Sequence, residues 1–300
     1  MADALIIFKQ TVIMFLYMAA GFTLFRFRLI TREGSASMAN LLLYIIIPCV
    51  LIQSFQVVYT PAKAQELLIS IALGALLLLA AMLLSHLLLR RDPIDDFGAA
   101  FSNAGFMGFP LITALLGKEA VFYAAGFVAL LNALQWTYGQ YLLSGDRADL
   151  SIRKAVRSPL VLSFLLGLLL FFLRVKLPPM LGTAVSAVSA MNGPLAMITL
   201  GVYLAQLDVG KTLKNRRIYL ASAVRLVLIP LVSYVLLYCL FPGLSAMKIA
   251  LYIAAMAPVG ANVAVYAQKQ GRDYSYAVGL VCLSTLFSVV TMPLMILLVK

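Results

Sequence analysis

Residues 101–110 read Phe101-Ser102-Asn103-Ala104-Gly105-Phe106-Met107-Gly108-Phe109-Pro110. Gly105, Gly108 and Pro110 fall within six positions of an otherwise apolar run. A continuous membrane helix accommodates such a set poorly, because proline removes an amide donor and each glycine costs about 1 kcal/mol of helix propensity. The stretch therefore reads as a broken helix. An opened backbone survives in lipid only where protein or a water-filled cavity surrounds it, and Asn103 lies beside the opening. A proline kink that only shapes packing is the alternative for one such helix taken alone.

The rest of the chain favours the break. Of 300 residues, 63% are hydrophobic and 11% charged, with a mean hydropathy of +1.02, which places the chain among integral membrane proteins. Apolar spans of about 20 residues recur from end to end and leave no length for a soluble domain. The net charge of +12 sits at span ends rather than on one aromatic-interleaved face, so no nucleic-acid partner is expected and the lipid bilayer is. Cys49, Cys239 and Cys282 lie in apolar segments without metal or disulfide spacing, and no cofactor is expected.

Ten spans are expected, the second carrying Pro48, the seventh Pro194 and the eighth Arg225 with Pro230, running from Ile218 to Leu240. The ninth span reads Ala254-Ala-Met-Ala-Pro258-Val-Gly260-Ala-Asn262-Val-Ala-Val-Tyr266 and is broken like the fourth. A charged linker, residues 144–158, divides the chain into a first unit, 1–143, and a second, 159–300. Pro48 and Pro110 are 62 positions apart, Pro194 and Pro258 are 64 apart, and Gly117-Lys-Glu is echoed by Gly271-Arg-Asp. The halves thus read as a repeat of five spans. An odd number of spans inverts the second copy, so helices four and nine approach the midplane from opposite sides and their openings meet.

Basic residues divide unevenly between the two sides. Seven (Lys9, Lys63, Lys118, Arg174, Lys176, Lys248, Lys300) fall on one and fifteen on the other, with Arg225 intramembrane. The positive-inside rule puts the fifteen in the cytoplasm and both termini outside, in an inner (plasma) membrane.

Asn103-Ala-Gly-Phe-Met-Gly-Phe-Pro-Leu111, Leu116-Gly-Lys-Glu and Leu134-Gln-Trp-Thr resemble the auxin efflux carrier family of secondary transporters. Pro178-Pro179, Gly193-Pro194 to Leu200-Gly201, Asn262-Val-Ala-Val-Tyr-Ala and Leu283-Ser-Thr to Pro293 are similar to it as well, so the resemblance spans nearly the whole chain. It implies an all-α membrane fold of ten helices in two inverted repeats, with helices 1, 2, 6 and 7 as a scaffold and 3–5 and 8–10 as a transport domain. It also implies crossing helices 4 and 9 at the site, a homodimer, and small organic anions as substrates. The short linker matches bacterial members, which carry dicarboxylates, and Asn132 stands where plant members carry glutamine.

An anion at the midplane requires donors and a favourable potential, which the positive ends of half-helices provide. Asn103 and Asn262 either donate to a carboxylate or satisfy freed backbone groups, beside Pro110 and Pro258. Asn132 and Gln135, three apart on helix five, either line the same cavity or bond neighbouring helices. Tyr266 and Gln53 are further candidates for substrate contact or packing. Arg225 either draws the anion inward as a charge partner or snorkels to the cytoplasm and bonds carbonyls. None of the eleven carboxylates falls mid-span, so the membrane potential is expected to drive an anion outward with about 2.3 kcal/mol per charge per 100 mV. The alternatives are a sodium-coupled symporter of the bile-acid type and a membrane enzyme using Asp92-Pro-Ile-Asp95-Asp96 to hold magnesium and a diphosphate. That acidic cluster reads more simply as a solvated helix start.

Overall fold

The computed structural model describes residues 1–239 and 245–299, so Lys300 and the Leu240 end of the eighth expected span lie outside the described residues. The described chain is helical, with a single isolated antiparallel bridge, Ser102 to Val259. We label the main helices α1 (Ala2–Arg26), α2 (Arg32–Ser54), α3 (Pro61–Leu89), α4 (Pro93–Ala100 and Ala104–Leu116), α5 (Lys118–Ser144), α6 (Pro159–Phe172), α7 (Pro179–Ala205), α8 (Arg216–Cys239), α9 (Ala246–Met256 and Asn262–Lys269) and α10 (Tyr274–Ile296). Seven are long and apolar enough to cross a membrane: α1, α2, α3, α5, α7, α8 and α10. The other three are shorter, and two of them are the interrupted pair α4 and α9.

Proline shapes these helices in a repeated way. Pro48, Pro110 and Pro230 each follow a widened turn, Leu42–Ile46, Ala104–Gly108 and Val224–Leu228. In each turn the residue just before the proline donates five residues back, Ile47 to Leu42, Phe109 to Ala104 and Ile229 to Val224. A proline offers no N–H to the carbonyl four residues earlier and its ring crowds that carbonyl, so the helix relaxes by admitting one extra residue. Helices start where hydroxyls and carboxylates accept from the first turn: Thr31, Thr60, Asp92, Ser158, Ser245 and Asp273 all do so.

The most extensive contacts fall into two sets, which meet where α1 packs on α10 and on the second half of α4. α1 lies along the second part of α7, while α2 packs on α6 and on the first part of α7. The α1–α7 seam is close enough that a Cβ on Gly201 would fall 1.9 Å from the Met18 carbonyl oxygen, and one on Gly21 would fall 2.0 Å from that of Ile198. Small residues allow backbones to approach in this way, which matters where lipid gives no hydrophobic drive to association. α3 packs on the first half of α4 and on α5, α9 on α4 and α5, and α10 on α8 and α9. Of the seven long spans α5 is the most buried and α1 the least, so α5 forms the centre around which the breaks are gathered.

Candidate functional site

The breaks in α4 and α9 cross. Phe101, Ser102 and Asn103 run extended or irregular against Ala257–Ala261, and the two strands of backbone pair antiparallel. Asn103 N–H donates to the Pro258 carbonyl at 2.7 Å and Gly260 N–H donates to the Phe101 carbonyl at 3.0 Å. Gly260 admits this approach, since a Cβ there would lie 3.1 Å from the Ser102 carbonyl oxygen. Val259 N–H finds the Ser284 hydroxyl of α10 at 3.2 Å, and the Ser102 hydroxyl donates to the Ala254 carbonyl at 2.8 Å. Unpaired peptide groups are prohibitively costly away from water, and here each opened helix supplies partners for the other.

Arg225 completes the crossing from α8. It is 1% exposed, and its Nη1 donates to the carbonyls of Ala99 (3.0 Å) and Ala100 (3.4 Å), while Nη2 donates to that of Ala255. These are the C-terminal carbonyls of the first halves of α4 and α9, which lack intrahelical partners and carry the negative ends of the helix dipoles. The side chain therefore turns into the protein and does not snorkel, and its bonds go to peptide oxygens.

The expected site residues divide among three places. Asn262 Nδ2 donates to Gln135 Oε1 at 2.8 Å, joining α9 to α5. Tyr266 packs edge-on against Phe97 and Trp136, with ring centroids 5.7 and 6.0 Å away. Asn132 is buried and bonds its own helix at the Val128 carbonyl, so it and Gln135 have different partners. Asn103 is 3% exposed, and its side-chain Nδ2 has no protein partner. Pro110 and Gln53 lie elsewhere, on the wall of a cavity.

That cavity, about 500 Å³, opens between α1, α2, α7, the second half of α4 and the start of α5. Gln10, Gln53, Ser54 and Asn192 give it polar walls, and Pro110, Pro194, Lys118 and Glu119 also line it. Glu119 also pairs with Lys63 at 3.5 Å, and Lys176 nearby holds the carbonyls of Gln56 and Val57. Of the expected residues only Pro110 and Gln53 line it; Asn103, Asn132, Gln135, Pro258, Asn262 and Tyr266 do not. A separate crevice of about 20 Å³ reaches Ala261 and Asn262 at the start of the second half of α9.

Asn192 connects the cavity to the crossing. It is buried, and its Nδ2 donates to the Gly105 carbonyl at 2.8 Å in the widened turn just past the α4 break. Its Oδ1, like Oε1 of Gln53, is a buried acceptor without a protein partner. Sequence reasoning did not single it out, although its place directly before Gly193-Pro194 in an apolar segment was a signal. The acidic cluster is also placed differently from expectation. Asp95 and Asp96 are buried, not solvated: Asp95 accepts from Arg217 (3.0 and 3.2 Å) and Tyr276 (2.5 Å), and Asp96 accepts from Ser85 (2.6 Å) and faces His86 Nδ1 at 2.8 Å. Asp92 caps α4 and pairs with Arg217. The three carboxylates are engaged by protein donors and tie α3, α4, α8 and α10 together.

A family model described as a membrane transport protein matches residues 6–152 and, a second time, residues 148–296. The chain belongs to this membrane transport protein family. It is the family of auxin efflux carrier type that the motifs around Asn103 and Asn262 resemble. An uncharacterized transporter of Methanothermobacter thermautotrophicus (strain Delta H) is 29% identical over 224 residues, covering 70% of this chain and 72% of that protein. Within the membrane transport protein family frame, the repeated match coincides with the two halves that each contain one broken helix.

Proposed function

We propose that this chain is a secondary transporter that carries small organic anions across an inner (plasma) membrane by alternating access at the α4–α9 crossing, driven by the membrane potential. The observation that carries the reading is the antiparallel pairing of two unwound stretches in the protein interior, joined by the 2.7 Å bond from Asn103 to Pro258. A bilayer tolerates such backbone only where protein or a water-filled cavity surrounds it, and paired discontinuous helices are the device by which many carriers hold a substrate near the midplane.

In this reading the helices form ten spans in two inverted repeats. Each broken helix is followed by a glycine in the left-handed region, Gly117 at φ 87° and Gly271 at φ 64°, which supports matching the halves helix by helix. The contacts of α1, α2, α6 and α7 among themselves support their acting as a scaffold, and the moving unit is α3–α5 with α8–α10, gathered about the crossing. The 500 Å³ cavity between the two groups is in the size range of small-molecule sites and is read as the route to the site from the non-cytoplasmic side. The anion is read as binding at the crossing, where the buried donor Asn103 Nδ2 has no protein partner. The scaffold face is the proposed homodimer contact.

The test is uptake by the purified protein in liposomes, preceded by a thermal-shift screen against mono- and dicarboxylates. Stabilisation by one acid class together with potential-dependent flux supports the reading. Flux of uncharged solutes or simultaneous access from both sides overturns it.

A further inference from the structure

A buried guanidinium without a carboxylate among its bonds is unusual enough to require a reason. All three bonds of Arg225 go to carbonyl oxygens, and those oxygens come from two different helix ends, Ala99 and Ala100 of α4 and Ala255 of α9. Each end carries about half a negative elementary charge, and their convergence makes an oxygen-rich, electronegative cluster inside the protein. Unwound carbonyls and C-terminal helix ends are the groups that coordinate a coupling cation in carriers with broken helices. In this chain a guanidinium bonds such carbonyls. The widened turn Val224–Leu228 before Pro230 contains Arg225 and presents it to both ends at once. The planar fork suits this position, one Nη serving α4 and the other α9, whereas a lysine ammonium is a single point charge.

We propose that Arg225 is the resident cation of the crossing, occupying the carbonyl cluster at which a mobile cation would otherwise bind, so that anion transport by this chain needs no sodium. The inference rests on the transporter reading above and distinguishes its potential-driven form from sodium symport. Arg225 acts here as a positioning residue: it neutralises the two helix ends and links α4 to α9, without contact to substrate.

The experiment compares the full chain and Arg225→Ala in two readouts, with malonate as the transport probe and choline replacing sodium. The unsubstituted protein is expected to give the same malonate flux with either cation, within about twofold, and the same melting temperature. Arg225→Ala is expected to lose flux at least about tenfold and to melt at a higher temperature in sodium than in choline, because the vacated carbonyls then take the ion. Arg225→Gln, which keeps a donor without the charge, carries the same comparison where Arg225→Ala does not fold. Sodium stimulation of the unsubstituted protein overturns the proposal, and so does a variant whose melting is indifferent to sodium. Absence of malonate flux in every protein removes malonate as a substrate, and the melting comparison then decides the role of Arg225.

Discussion

Asn103 and Pro258 are joined backbone to backbone: the amide of the first donates to the carbonyl of the second at 2.7 Å, across 155 positions of sequence. The bond uses the main chain of Asn103 and leaves its side chain free. Main-chain pairing holds the crossing together, and Nδ2 is a buried donor without a protein partner, which the proposed function assigns to the anion.

That division predicts the effect of Asn103→Ala. The variant keeps its backbone bonds and is expected to fold with little change in melting temperature. It loses one hydrogen bond to a charged ligand, worth about 1.5–3 kcal/mol, or about a 10- to 150-fold loss of affinity. Thermal-shift titration with the best-binding acid measures both quantities. Undiminished ligand stabilisation would remove Asn103 from the site.

Gln135 and Asn262 are expected to be coupled. Their 2.8 Å bond joins α5 to α9 inside the protein, and single alanine substitutions leave one buried amide without its partner. A double-mutant cycle on melting or denaturant stability should return a coupling of about 0.6 kcal/mol, the average for side-chain bonds between membrane helices, and at most about 1.7 kcal/mol. Strict additivity would show that the bond contributes nothing.

Gly201 tolerates no side chain. A Cβ at 1.9 Å from the Met18 carbonyl oxygen cannot be relieved by a rotamer change, because the obstacle is backbone. Gly201→Val is expected to force α1 and α7 apart at a cost of about 3 kcal/mol or more, read as loss of the monodisperse peak in size-exclusion chromatography. Gly182→Val, at a position with only one neighbour at 3.9 Å, serves as the control and should behave as the unsubstituted chain.

Cavity access should alternate. In a background with Cys49, Cys239 and Cys282 replaced by alanine, Ser189→Cys on the cavity wall and Val265→Cys in the crevice beside Asn262 report on the two sides. Substrate is expected to raise labelling of one by an impermeant thiol reagent while lowering the other. Parallel changes at both positions would contradict alternating access.

Much of this architecture was legible in the sequence. Gly105, Gly108 and Pro110 in one apolar run, and Pro258 with Gly260 in another, pointed to both breaks, although α4 opens at Phe101–Asn103, just before its own three, which lie in the widened turn and the helix beyond it. The same logic misjudged what it could not see in one segment. The acidic cluster at Asp92–Asp96 read as a solvated helix start, yet Asp95 and Asp96 are buried by Arg217, Tyr276, Ser85 and His86, which arrive from three other helices. Asn192 passed unremarked, since only its contact with Gly105, 87 positions away, gives it meaning.

The sequence by itself determined the membrane class, the two interruptions and the correspondence of the halves, all of which follow from local chemistry and from what lipid forbids. Tertiary structure alone decided partnership: which carbonyls Arg225 holds 126 positions away, which amides of the crossing are paired and which are left over, and that Gln53 and Pro110 line a cavity the crossing asparagines do not reach. The physical reason is that hydrogen bonds and charges act over a few ångströms in space, and chain separation carries no information about that distance.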